Sequence, residues 1–110
     1  MLLPSRQFLP MALLGLGLFA GAAAAQSNDP SVRITNNGTV AMNQIFVSPS
    51  ANQNWGADRL GDRSLGVGQS YIIRMPAGQC MNDVRVVWAN GQNRERRQVN
   101  TCNLTDLVFP

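Results

Sequence analysis

Cys80 and Cys102 bracket DVRVVWANGQNRERRQVNT, two β-rich runs that meet at Asn90-Gly91. Asn-Gly between such runs is a strong hairpin signal, because both residues tolerate the positive φ of a tight two-residue turn. A cystine joining the two arms needs them at nearly the same depth, so the pair constrains register as well as topology. A two-residue loop sets Cys80 opposite Thr101 and turns Cys102 to the other face. A three-residue loop, or a bulge at Gly91, shifts the pairing by one and sets Cys80 directly opposite Cys102. The apolar residues favour the first register, since only there does Val99 join the face of Val84, Val86 and Trp88. A bulge lower in the second arm satisfies both. The covalent constraint takes precedence, so the expectation is a bulge or a loop longer than two residues.

A disulfide presupposes an oxidising compartment. Residues 1–25 supply the route. One cation, Arg6, precedes an apolar run FLPMALLGLGLFAG, and Ala23 and Ala25 occupy the small-residue positions before Gln26. That is the layout of a cleaved secretory signal peptide. The apolar run is shorter than the roughly 20 residues a spanning helix needs, so no stable membrane insertion is expected after cleavage. SRQFL resembles a twin-arginine motif with one arginine missing, and an ordinary Sec signal is the preferred reading. The expected localisation is periplasmic or secreted, and a reactive dithiol has neither Cys-x-x-Cys spacing nor a His to support it.

The mature part, about 85 residues, is enough for one small domain. Residues 26–31 form a polar leader and residues 32–110 the domain. VRITN alternates Val32 and Ile34 against Arg33 and Thr35, a half-buried strand, and NNG is a turn. MNQIFVS is apolar on both faces at its centre, which suits a strand inside a sheet. Tyr71, Ile72 and Ile73, the two β-rich runs of DVRVVWANGQNRERRQVNTC, and a short terminal strand in LTDLVFP complete a set of short strands joined by Gly, Pro and Asn turns. No helix-period segment of useful length appears. The expected fold is all-β, a small antiparallel β-sandwich, immunoglobulin-like or similar, with one disulfide.

The mature part carries eight Arg against six acids, a net charge of +2, with no Lys and no His. This small excess, interleaved by sign, supports solubility and gives no reason to expect nucleic-acid binding. The lack of His removes the usual general base, Ser-His and Cys-His nucleophile pairs and His-containing zinc sites. Asp58 and Asp62, with Asp83 as a third, are the nearest approach to a carboxylate pair or a Ca²⁺ site, but Arg59 and Arg63 interrupt them. RERR at 94–97 reads as an edge strand whose charges discourage edge-to-edge pairing, the alternative being an anion-binding patch.

NWGADRLGD, residues 54–62, places Trp55 far from any apolar run. Exposed, it would stack on a ligand. Folded back, it would plug one open end of the sandwich beside Leu60 and Leu65, with Gly56 and Gly61 in unusual backbone conformations and Asp58 and Asp62 capping local N–H groups. The plug is favoured, because a small domain gains from burying an aromatic. Trp55, Gly56, Asp58, Arg59, Leu60, Gly61 and Asp62 therefore form the candidate contact or structural loop, and the hairpin tip at 90–93 is the other candidate contact.

The order VSPS, WGADRLG, a Gly-Gln-Ser turn, YIIRMPAGQC, DVRVVWANG and a late Cys resembles a group of small exported proteobacterial proteins of uncharacterised function. These are often labelled Tat-pathway signal proteins and sometimes argininosuccinate lyases. The resemblance spans about residues 32–109 and implies export, but Gln7 stands where a second arginine would be. It implies no lyase activity, since such lyases are large helical assemblies. The expected function is an exported, non-enzymatic binding or accessory domain with no cofactor, whose partner is an undetermined protein or small ligand. An inhibitor of a periplasmic or foreign enzyme is the alternative, and a carboxylate-dependent hydrolase comes after it.

Overall fold

The computed structural model describes residues 27–110, so the signal peptide read at 1–25 lies outside the described residues. Six strands follow in chain order: β1 Val32–Asn36, β2 Met42–Pro49, β3 Ser70–Ile73, β4 Met81–Trp88, β5 Asn93–Asn100 and β6 Asp106–Phe109. They form two three-stranded sheets, β3-β1-β6 and β2-β4-β5. The fold is all-β, two sheets packed together with one disulfide.

Period-two alternation explains the packing. Val32, Ile34, Ile73, Leu107 and Phe109 point inward from one sheet, and Met42, Ile45, Val47, Val84, Val86 and Trp88 from the other, and together they make one buried cluster. Between neighbouring strands, β1–β3, β2–β4 and β4–β5 are antiparallel, while β1 and β6 pair in parallel, Ile34 opposite Leu107. The parallel pair joins the first strand to the last, a contact between distant segments that no local pattern announces.

The β4–β5 hairpin has both a longer loop and a bulge. Trp88 N–H bonds the Gln92 carbonyl at 2.8 Å, leaving Ala89, Asn90 and Gly91 as a three-residue tip. Farther down, Asp83 of β4 stands against both Arg97 and Gln98, and Gln98 has φ 54°. The bulge resets the register, so Asn82 faces Val99 and Val99 packs against the core. Thr101, and not Cys102, lies across from Cys80, donating its N–H to the Cys80 carbonyl at 2.8 Å. The Cys80–Cys102 bond closes one residue farther along, at a Cα separation of 5.1 Å. The covalent and apolar demands are met together.

MNQIFVS does not run inside its sheet. β2 is an edge strand, and the long connection to β3 covers its free side. Met42 and Leu65 exchange backbone hydrogen bonds at 2.8 and 2.9 Å, and Arg59 N–H donates to the Ile45 carbonyl at 2.7 Å. The Asp58 carboxylate accepts from Ile45 N–H at 3.0 Å, as a neighbouring strand's carbonyl would. The same connection lays Trp55 beside Phe46, the apolar residue on the outward face of β2. The opposite edge belongs to β5, so the RERR charges lie on an edge strand.

Candidate functional site

A concavity lies at the hairpin end of the sandwich, where the turn after β1 meets the β4–β5 tip. It has a volume of about 250 Å³, and Thr39, Trp88, Asn90, Gln92 and Arg94 line it. Its floor is the Trp88 indole, which is 5% exposed. Asn36 sets that floor. Its side-chain oxygen accepts from Trp88 Nε1 at 3.0 Å and from Gly38 N–H at 2.9 Å. Its amide nitrogen donates to the carbonyls of Val40 at 3.0 Å and Leu65 at 2.9 Å. Gly38 lies so close that a Cβ there would stand 2.7 Å from Trp88 Nε1. Around this rigid floor the rim is polar, and Arg94 brings a cation.

The 54–62 loop is arranged differently from the plug drawn from the sequence. Trp55 is half-buried, not in the core. It lies against the outer face of the β2-β4-β5 sheet, 6.5 Å from the Phe46 ring, with the Arg97 guanidinium 4.9 Å from its own ring centre. Leu60 and Leu65 go to the core instead, at 3% and 5% exposed. Gly56 and Gly61 have φ 79° and 62°. Asp58 caps Leu60 N–H at 3.0 Å, as an Asx turn does. Asp62 stays exposed, without a capping bond. Arg59 reaches away from the loop to the Arg74 carbonyl at 3.2 Å.

Asp58, Asp62 and Asp83 are not brought together, and among the described residues no group of three or more Cys, Asp or Glu side chains forms a metal-binding cluster. Asp83 serves the bulge. Its carboxylate accepts from Gln98 N–H at 2.9 Å, Ser50 Oγ at 2.9 Å and Arg97 Nη1 at 3.1 Å. Arg97 also donates to Glu95 at 2.8 Å, and Glu95 faces Arg85 Nε at 3.8 Å. Asp106 pairs with Arg33 at 2.9 Å, and Asp29 accepts from Ser31 N–H at 3.0 Å. Five of the six acids are thus engaged by structural donors.

The Asp83 pKa is lowered, first by the Gln98 N–H, then by Ser50 and Arg97, against the opposing cost of burial. A carboxylate with a depressed folded-state pKa stabilises the fold above its unfolded value, and that contribution is lost as pH falls through the folded pKa. Thermal stability of the wild type should therefore fall as pH drops below about 4. Asp83→Asn should cost about 1–3 kcal/mol at neutral pH and flatten the acid limb. Parallel pH curves for the two proteins would count against this role of Asp83.

Sequence reasoning missed Asn36, Asn82 and Thr101, all buried. Asn82 donates to the Gln79 carbonyl at 2.8 Å and to Thr101 Oγ1 at 3.0 Å, beside the cystine. Strand parity held the signal. Asn36 shares the inward phase of Val32 and Ile34, and Asn82 that of Val84 and Val86.

No family model, no curated protein and no solved structure matches this chain.

Proposed function

We propose that the chain is an exported, non-enzymatic binding or accessory module that takes a small polar ligand, or a partner's side chain, in the concavity over Trp88. The observation that carries this reading is a rigid aromatic floor under a polar rim, with Arg94 as the titratable side chain in the lining. A preformed apolar surface with a few placed polar groups is the usual form of a binding pocket. Catalysis finds little support there, because Asp58, Asp83, Glu95 and Asp106 hold backbone amides or arginines. The cystine favours an oxidising compartment, periplasmic or extracellular. The likeness to small exported proteobacterial proteins points the same way.

The inhibitor reading has one observation in its favour. The β4–β5 hairpin is closed by a disulfide near its base and presents an exposed tip at Asn90-Gly91. A preorganised loop binds with little ordering cost.

Amide chemical-shift mapping against a library of small carboxylates, phosphates and sugars tests the proposal. Shifts should gather at Asn37–Val40 and Asn90–Arg94 and disappear in Arg94→Ala. A library that moves no amide there removes the pocket reading. Turnover of any hydrolase substrate that is lost in Asp62→Asn would replace binding by catalysis.

A further inference from the structure

We propose that the free edge of β3 receives an extended acidic segment of a partner protein as an added β-strand. β3 is the outermost strand of its sheet. Its inner side is committed. Asn36 N–H bonds the Gln69 carbonyl at 2.9 Å, while Ile34 faces Tyr71 and Val32 faces Ile73. Backbone alternation in an antiparallel pair then turns the N–H and C=O groups of Ser70, Ile72 and Arg74 away from β1. The Arg74 carbonyl is taken by Arg59. Ile72 is left with its backbone groups directed to a shallow groove of about 300 Å³, lined by Arg59, Tyr71, Ile72, Ile73 and Arg74. The Ile72 side chain is 51% exposed.

Charge identifies the occupant. Arg59, Arg63 and Arg74 all border this edge, and among the described residues none of them forms a salt bridge with a carboxylate. Arg63 is held beside the strand by Tyr71, its guanidinium 5.3 Å from the ring centre and donating to the hydroxyl at 3.2 Å. Arg59 and Arg63 come from the loop that covers β2, whereas Arg74 continues β3 and lines a second depression with Arg33 and Ile72. A strand laid along β3 would therefore meet cations from both sides. A second copy of this chain, docked edge to edge, would oppose the two arginine sets and be repelled. An acidic segment converts the same charges into attraction, and main-chain pairing supplies the rest of the affinity. This surface contains no residue of the Trp88 concavity, so either can fail alone.

The probe is a fluorescein-labelled octapeptide of alternating Glu and Val, with a Lys-Val peptide of equal length as control. The acidic peptide should bind, weaken steeply with added salt, and slow hydrogen exchange at the Ile72 amide. The basic peptide should not bind. Methylating alternate peptide nitrogens of the acidic probe should weaken binding by about tenfold or more, with the wild-type protein unaltered. Ile72→Pro removes an outward-facing donor and leaves the β1 pairing in place, so it should weaken binding similarly. Arg59→Glu combined with Arg74→Glu should abolish it. Undiminished binding by the methylated probe, protection at amides other than those of β3, or a dimer paired through β3 in sedimentation would each overturn the proposal. Amide shifts at Asn90–Arg94 report on the other site independently.

Discussion

Asn36→Ala is expected to destabilise the domain by about 3 kcal/mol or more, the largest effect of any single polar substitution in this fold. The residue is fully buried and its side chain uses both donors and accepts two bonds. Truncation leaves the Val40 carbonyl, the Gly38 N–H and Trp88 Nε1 without their partner, while the Leu65 carbonyl keeps its bond from Met42 N–H. Each unmet buried group costs about 1–3 kcal/mol, and partial relaxation or water entry keeps the total below the sum. For a domain of this size the melting temperature should fall by more than about 10 °C. Asn37, next in the chain but exposed, is the control, and its replacement by Ala should change stability by less than about 0.5 kcal/mol. Denaturant unfolding of both variants checks the contrast. In a double-mutant cycle, Trp88→Phe should recover part of the loss, because it removes one of the orphaned donors. A cost below about 1 kcal/mol for Asn36→Ala would mean that these four bonds do not organise the turn.

Asn36 also marks the boundary of what the sequence could disclose. Asn-Asn-Gly is compositionally a turn, and a turn is present, but composition cannot say that the first Asn faces inward. Parity along Val32, Ile34 and Asn36 could have said so. The strands themselves were legible, because alternation in VRITN and the apolar phase of Val84, Val86 and Trp88 are local properties. Register in the β4–β5 hairpin was legible to the extent that two constraints, a cystine and an apolar face, had to agree. Their agreement required the irregularity at Gln98, whose positive φ is held by the Asp83 carboxylate. The parallel pairing of β1 with β6 was not legible, since no turn or spacing links the two strands.

The Trp55 loop shows a different limit. Sequence ties Trp55 to Leu60 and Leu65 by proximity, yet the chain separates them, two into the core and one onto an outer sheet face. The cause is the β2 edge. Asp58 and Arg59 must lie along Ile45 to cover it, which turns Leu60 inward and leaves Trp55 over Phe46. An aromatic loop that looks like a ligand platform is thereby recruited to shield a strand edge and its outward Phe.

Removing the disulfide, by Cys80→Ala with Cys102→Ala or by reductant, should cost about 3 kcal/mol, from the unfolded-chain entropy released when a loop of this length opens. That corresponds to a fall in melting temperature of roughly 15 °C. The position of the bridge makes a second outcome specific. Cys102 is where the chain leaves the β2-β4-β5 sheet and crosses to β6 in the other sheet. Just beyond it the Thr105 carbonyl accepts from Arg33 N–H at 2.8 Å, starting the parallel pairing. If the cystine acted only on the unfolded chain, all protected amides would exchange faster by one common factor. Because it also anchors this crossing, exchange at Leu107 and Phe109 should accelerate more than at Val84 and Val86. The inner hairpin keeps its own supports, the Asn82–Thr101 bond and the Asp83-braced bulge. Uniform acceleration would assign the bridge to chain entropy alone, and an unchanged melting temperature under reductant would remove it from the stability of the fold altogether.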